Sequence, residues 1–404
     1  MSRNVPKLRF KGFEDEWKKE VLGDLIVEKI EKTEDKGKYP LYSLTIESGV
    51  VPKSDRYERE FLVKKEGNFK IVNNNDFVYN PMNLRFGALA IYKGDFPVSV
   101  SGYYNVFSFK NRGLEKFWDN YLKTHRIMYL YNTIATGSLE EKKRVHYSQF
   151  KELKLPMPSL KEQEKIANFL SRVDSIIEKQ EKKVEYWNSY KKGMMQKIFS
   201  QKIRFKDENG RDYPEWEEKK LGDISVKLTQ KNKNFKIKNV ISNSAKNGLI
   251  EQNEIFDKDI ANKNNIDGYY IIENGDFVYN PRKSKEAPYG PINMFKLDYK
   301  GIVSPLYLCF RINKVINKNY IEYYFKSFSW HRYIYHNSDQ GVRHDRISIK
   351  DSEFMKIKIN LPCLKEQDRI ASFLLTIDNI IEKESKKLEE LKQWKKGLLQ
   401  QMFV

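Results

Sequence analysis

Two kinds of hydrophobic pattern alternate along the chain. Over residues 160–199, apolar positions fall at Ile166, Phe169, Val173, Ile176, Val184, Trp187, Met194 and Ile198, with Gln180 and Lys191 filling the gaps. Steps of three and four residues alternate, the heptad-like seam of a helix that lies along another helix. Residues 364–403 repeat the seam with Ile370, Phe373, Ile377, Ile380, Leu388, Leu391, Leu398 and Met402, and the polar breaks Glu384 and Lys395 fall in the same two gaps. A polar seam residue fixes register and partner choice at a cost in stability. Pro158 and Pro362 stand just before each run, where helices start. A segment of ~40 residues would be ~60 Å long at 1.5 Å per residue. That is too long for its stripe to be buried on one small domain, so the pattern predicts an antiparallel two-helix coiled coil.

Short β-type runs dominate the rest. LYSLTI at 41–46, DFVYN at 76–80, ALAIY at 88–92 and VFSF at 106–109 are bounded by turn residues, and YYII at 269–272, DFVYN at 276–280 and LYLCFRI at 306–312 correspond to them. One helix is expected after the strands of each set, over about 115–131 and 319–336. The fold class is α+β, with irregular, mostly antiparallel sheets.

The correspondence is a duplication of the whole chain. NNNDFVYNP at 73–81 returns as ENGDFVYNP at 273–281, and LKEQEKIANFL at 160–170 returns as LKEQDRIASFL at 364–374. KKGMMQKIF at 191–199 returns as KKGLLQQMF at 395–403, and Trp17 with LGD at 22–24 returns as Trp216 with LGD at 221–223. Two repeats are too few for a solenoid and suit a pseudo-twofold pair within one chain. The order is a module at 1–158, a long helix at 159–200, a second module at 201–362 and a second long helix at 363–404.

Charge then narrows the partner. The 404 residues carry 74 Lys+Arg against 55 Asp+Glu, a net +19. Only +3 lies in 160–199 and +1 in 364–403, so the modules hold the rest and are the expected polyanion readers. Aromatics make up 14% of the chain, which argues against disorder. No apolar run approaches the ~18 residues of a membrane span, and the opening MSRNVPKLRFKGF has no signal-peptide core. Cys309 and Cys363 alone give no disulfide framework, so a reducing cytoplasm is expected.

Two segments in each module carry candidate DNA contacts. The first follows the shared strand: Tyr79, Asn80, Asn83 and Arg85 in one copy, and Tyr279, Asn280, Arg282, Lys283 and Lys285 in the other. Arg can bridge guanine, Asn can bridge adenine, and Lys usually holds phosphate. Phe77 and Val78 read as packing. The second segment follows a glycine, Gly137 or Gly341, with Lys142, Lys143, Arg144 and His146 in one copy and Arg343, His344 and Arg346 in the other. A charge run is usually a solvated face, but this one recurs at the same place in both copies. Neither GxxxxGK[ST] nor GxGxxG occurs, the cysteines do not cluster, and His331 and His336 have the wrong spacing for one helical face. No catalytic constellation is common to both halves, so no catalytic or metal residues are assigned. A recognition protein fits best; a self-contained DNA-modifying enzyme and a coiled-coil nucleic-acid-binding adaptor are the alternatives.

At this point the chain resembles the specificity (S) subunit of type I restriction-modification systems over essentially its whole length. The carriers are Pro6, Leu8, Arg9 and Phe10 in the opening, Trp17 with Leu22-Gly23-Asp24, the doubled DFVYNP, and the module exits LPMPSLKEQEKIANFL and LPCLKEQDRIASFL. The resemblance implies two target recognition domains separated by the helix pair, each reading half of a bipartite, asymmetric duplex site through the major groove. It implies that the helices set the spacer and dock two modification (methyltransferase) subunits that carry S-adenosylmethionine. Restriction subunits would add ATP- and Mg-dependent translocation and cleavage. The chain itself would hold no cofactor, and no membrane is involved.

Overall fold

A computed structural model describes residues 4–35, 37–53, 69–252, 266–339 and 345–404. Both modules are built on one four-stranded antiparallel sheet. In the first its order is Ile26–Glu28, Asn105–Phe109, Phe77–Tyr79, Leu89–Ile91; in the second it is Ser225–Lys227, Leu308–Ile312, Asp276–Tyr279, Ile292–Met294. The registers agree: Phe107 lies opposite Phe77, and Phe310 opposite Phe277. Both pairs stack, at 5.4 and 5.3 Å between ring centroids. These four rings are wholly buried, and each such side chain contributes roughly 1.5–3 kcal/mol by leaving water. A two-stranded pairing closes each module, Lys18–Val21 with Lys154–Met157 and Glu217–Lys220 with Lys358–Leu361.

The single helix expected in each module is two. The first module has Glu115–Tyr121 and His125–Ile134; the second has Lys318–Lys326 and His331–Asn337. A hydroxyl residue makes the break in both. Thr124 Oγ1 donates to the Tyr121 carbonyl at 2.9 Å and Ser327 Oγ to the Tyr324 carbonyl at 2.6 Å. Both residues are extended, offering the backbone an alternative to continued helix.

The motifs of the repeat turn out to be joints. The Leu-Gly-Asp glycine passes against the backbone that leads out of the module: a Cβ on Gly23 would lie 3.0 Å from the Lys151 carbonyl oxygen, and one on Gly222 would lie 3.3 Å from that of Met355. The neighbouring N–H groups tie down the same strip, Leu22 to the Leu153 carbonyl and Leu221 to that of Ile357, each at 2.8 Å. The Arg-Phe of the opening clamps the start of the long helix. Arg9 donates twice to the buried Glu162 carboxylate, at 2.8 and 2.9 Å, and Phe10 meets Phe169 edge-on at 5.7 Å. Arg204 and Glu366 repeat the clamp, Phe205 meets Phe373 at 5.4 Å, and Trp216 Nε1 donates to Glu366 as well, at 3.0 Å. The hydrogen bonds to Glu162 and Glu366 hold both guanidinium pKa values above their usual range. Gln163 and Gln367 donate back to the Pro158 and Pro362 carbonyls.

The long helices run over Leu160–Phe199 and Leu364–Met402. The chain partitions into two compact units, 1–182 with 386–404, and 183–385. Each unit therefore holds one module, the start of its own helix and the end of the other. In the first, Ile166, Leu170 and Val173 join Leu398, Met402 and Phe403 in a core with Phe117 and Tyr121. In the second, Ile370, Leu374 and Ile377 join Ile198 and Phe199 beside Tyr320 and Tyr324. The helix stripe is thus buried against a module as well as against the partner helix.

Ion pairs show the antiparallel course within each unit. Asp174 meets Lys395 and Glu181 meets Lys392 in the first; Asp378 meets Lys191 and Glu384 meets Lys183 in the second. The polar seam breaks Lys191, Glu384 and Lys395 are therefore the cross-helix contacts that pin register. Ile176 does not lie in the interface: it is 48% exposed, and Ile177 packs in its place. The buried stripe steps through Leu170 rather than Phe169, which turns toward Phe10 and Trp394. Phe373, Ile380, Val184, Trp187, Leu388 and Leu391 are half-buried. The chain's opening also closes the first unit. Leu8 N–H donates to the Gln401 carbonyl, as Ile203 N–H donates to that of Lys197 in the second.

Candidate nucleic-acid interface

In each module the two candidate segments form one surface. The shared strand ends in an Asn-Pro turn whose Asn side chain caps the backbone. Asn80 Oδ1 accepts from Met82 N–H and Asn280 Oδ1 from Arg282 N–H, both at 3.0 Å, a local bond that asparagine favours in turns. The next carbonyl then receives the basic segment. Pro81 O accepts from Val145 N–H at 2.9 Å, and Pro281 O from Ile347 N–H at 2.8 Å. Pro serves here because the position must accept a bond and donate none. Asp76 and Asp276 hold the other end of the strand by accepting from Asn73 and Glu273 N–H groups.

From this common frame the copies diverge. In the first module a tight turn over Leu84–Phe86 follows, closed by Gly87 at φ 92°. Arg85 is buried there. Its guanidinium binds the Glu140 side chain and carbonyl and lies 4.7 Å over the Phe86 ring. Glu140 also holds Lys143 at 2.6 Å, and the two partners keep the Glu140 carboxyl below its usual pKa, Lys143 first. Thr136 and Arg144 pair through two backbone bonds at the base of this loop. Asn83, Phe86, Lys142, Arg144 and His146 are exposed, and Lys143 is half-buried. His146 N–H donates to Gln149 Oε1 at the start of the helix Tyr147–Lys151.

In the second module the exit is longer and opens outward. Gly290 closes it at φ 82°, where a Cβ would lie 2.1 Å from the Asn280 carbonyl oxygen. Arg282 pairs along the backbone with Arg346, and Lys283 N–H donates to the Asp345 carbonyl at 2.9 Å. The Asp345 carboxylate stands 3.9 Å from Arg282 and 3.6 Å from Arg346. Those pairs are loose and solvated, so they hold the arginines weakly. Arg282 and Lys285 are exposed, while Lys283 and Arg346 are half-buried. Arg343 and His344, with Gly341, lie outside the described residues.

Three expected contacts are corrected. Tyr79 and Tyr279 are 0% and 2% exposed and pack in the cores, Tyr79 against Phe150 and Tyr279 against Phe354. Burial raises both hydroxyl pKa values far above the usual range. Strand alternation explains the error: one residue before the turn still points inward. Arg85 is 6% exposed and committed to Glu140, so it shapes the surface instead of extending from it. Sequence reasoning passed over Glu140 and Asp345. The available signal was a carboxylate lodged inside each basic run, in GSLEEKKRVH and in DQGVRHDRIS.

Among the described residues no group of three or more His, Cys, Asp or Glu could hold a metal ion, and no helix is long and apolar enough to cross a membrane. Burial pushes the Cys309 thiol up to about 12, which suits a core position.

The family model for the type I restriction modification DNA specificity domain matches residues 14–186 and again 213–393. The chain belongs to this family. It recognises DNA sequence as a specificity subunit, and catalysis lies in partner subunits of the type I complex. The type I restriction enzyme MjaVIII specificity subunit of Methanocaldococcus jannaschii is 30% identical over 268 residues, 62% of this chain and 61% of that one. The type I system S subunit from M. genitalium shares the fold, with a TM-score of 0.53 at 14% identity over 99% of both chains. So does a chain solved in a study of complex assembly and conformational transition of the type I R-M system, with a TM-score of 0.54 at 15% identity over 96% of this chain and 98% of that one.

Proposed function

We propose that each module of this specificity subunit reads one half of a bipartite, asymmetric duplex site through the major groove. The observation that carries this is the fused surface of Asn-Pro exit and basic segment. Its backbone frame is the same in both modules and its exposed side chains differ. Two readers of unlike chemistry fit two unlike half-sites, as paired readers fit paired half-sites in dimeric DNA-binding proteins. Asn83, Lys142, Arg144 and His146 face one half-site, and Arg282, Lys283, Lys285 and Arg346 the other. The long helices set the unspecified spacer and dock two modification subunits. Those partners bring S-adenosylmethionine and methylate adenine, flipping the base out of the duplex to reach it. Restriction subunits add ATP- and Mg-dependent translocation and cleavage.

The spacer reading has a direct test. Lengthening each long helix by four residues adds ~6 Å, against ~3.4 Å per base pair of DNA. Methylome sequencing of a host carrying the altered chain and its modification subunit should show a changed spacer between unchanged half-sites. Altered half-site bases would defeat the ruler. Methylation or cleavage by the purified chain alone would instead favour a self-contained enzyme.

A further inference from the structure

The two units carry the same groove at the same place, where the end of one long helix meets the break between the two short helices of the module. In the second unit it encloses about 630 Å³ and is lined by Lys192, Gln196, Phe199 and Lys202 on one side and Lys326 and Ser327 on the other. In the first it encloses about 700 Å³, with Lys396, Gln400, Phe403 and Lys7 facing Lys123 and Thr124. These residues match pair by pair through the internal repeat. The floors match as well, Met195 corresponding to Leu399 and Phe199 to Phe403.

That likeness is informative because the reading surfaces diverge. A groove preserved between copies serves an occupant that is the same at both. Among the described residues no Asp or Glu lines either groove. The nearest carboxylates in ion pairs with the lining are Asp119 on Lys123 and Glu322 on Lys326, each one turn back along the helix. Lys192, Lys202, Lys396 and Lys7 are exposed, so the rim is positive over an apolar floor. A DNA backbone would answer the charge but has no apolar face to set on Phe199 or Phe403. An amphipathic helix with acidic flanks answers both.

We propose that these grooves dock one and the same acidic, amphipathic segment, presented once by each of two copies of a modification subunit. This rests on the reading that two such subunits assemble on the chain. The break at Thr124 and Ser327 then has a role, because it opens the far wall of each groove.

The test uses the full chain co-expressed with its modification subunit and read by native mass spectrometry. The unaltered chain should carry two modification subunits. Lys192→Glu with Gln196→Glu reverses the rim of one groove on an exposed helix face and should leave one subunit bound. Adding Lys396→Glu with Gln400→Glu should leave none. In parallel, a photo-crosslinking residue at Gln196 in the otherwise unaltered chain should capture a modification-subunit peptide rich in Asp, Glu and apolar residues, and one at Gln400 should capture the same peptide. Two subunits retained by the fourfold variant, or crosslinks that miss the partner while two subunits stay bound, would overturn the groove and leave the two-subunit reading standing. An unaltered chain that binds no modification subunit would overturn both. The crosslinks decide the matter if a charge-reversed variant does not fold.

Discussion

The two modules share their joints and differ on their faces. In both, an arginine grips a buried glutamate at the helix start, an aspartate braces the strand, and an Asn-Pro turn offers its proline carbonyl to the basic segment. Beyond that turn, an arginine in the first module is drawn inward by Glu140, whereas Arg282 in the second stands in solvent with Asp345 only loosely beside it. Duplication has kept the residues that hold backbone in place and released those that meet the ligand. Motif identity therefore marks architecture in this chain, and specificity has to be sought where the copies stop matching.

The largest expected effect tests the shared joints. Arg9→Ala leaves Glu162 buried without its guanidinium, and breaking a buried pair from one side costs about 3–5 kcal/mol. Arg204→Ala should cost less, because Trp216 Nε1 still donates to Glu366. Denaturant unfolding of both variants, with hydrogen exchange to assign the loss to a unit, checks the order. Equal losses would mean that the tryptophan bond contributes nothing.

A smaller effect separates the faces. Arg282→Ala should cost about 1–3 kcal/mol of DNA binding and relax one half-site, if the side chain reads a base edge. Lys142→Ala should weaken binding evenly across sequences and lower the salt slope by about 1, as expected for a phosphate contact. Binding of assembled complexes to site variants over a range of salt distinguishes the two. Specificity unchanged in Arg282→Ala would make that arginine a phosphate contact too.

The smallest effect is confined to the second unit. Burial among Tyr289, Phe328 and Trp330 lowers the His331 pKa, and the corresponding position of the first module is Met128. Below the ordinary imidazole pKa of about 6.5 the unfolded chain takes up a proton that folded His331 resists. Stability of the second unit should then fall as pH drops through that value and return as pH rises. Hydrogen exchange in the 276–279 strand at pH 7.5 and 5.5 should show this, and His331→Met should remove it. A pH response that survives the substitution would belong to another group.

The duplication, the two long helices, the α+β modules and the family were legible in the sequence because repetition and periodicity survive without coordinates. Within the site, Asn80 and Asn280 were read as DNA contacts, whereas their side chains accept from the backbone of the turn that follows. Their pairing with Pro is a local signal, but the bond from Val145 or Ile347 to that proline is not. Arg85 was misread because sequence spacing does not show that Glu140 folds back on it from 55 residues away. Ile176 was misread because a helix that packs on a globule as well as on a helix shifts its buried stripe by one residue, to Ile177. The helix breaks at Thr124 and Ser327 were hidden because a hydroxyl amid a strong apolar pattern is usually harmless.

Each module should read its own half-site whichever position it occupies. A chain in which residues 22–157 are replaced by 221–361, so that both positions carry the second module, tests this most directly by methylome sequencing with the native modification subunit. Methylation should then fall at an inverted repeat of a single half-site. Methylation still found at the original asymmetric site would contradict this.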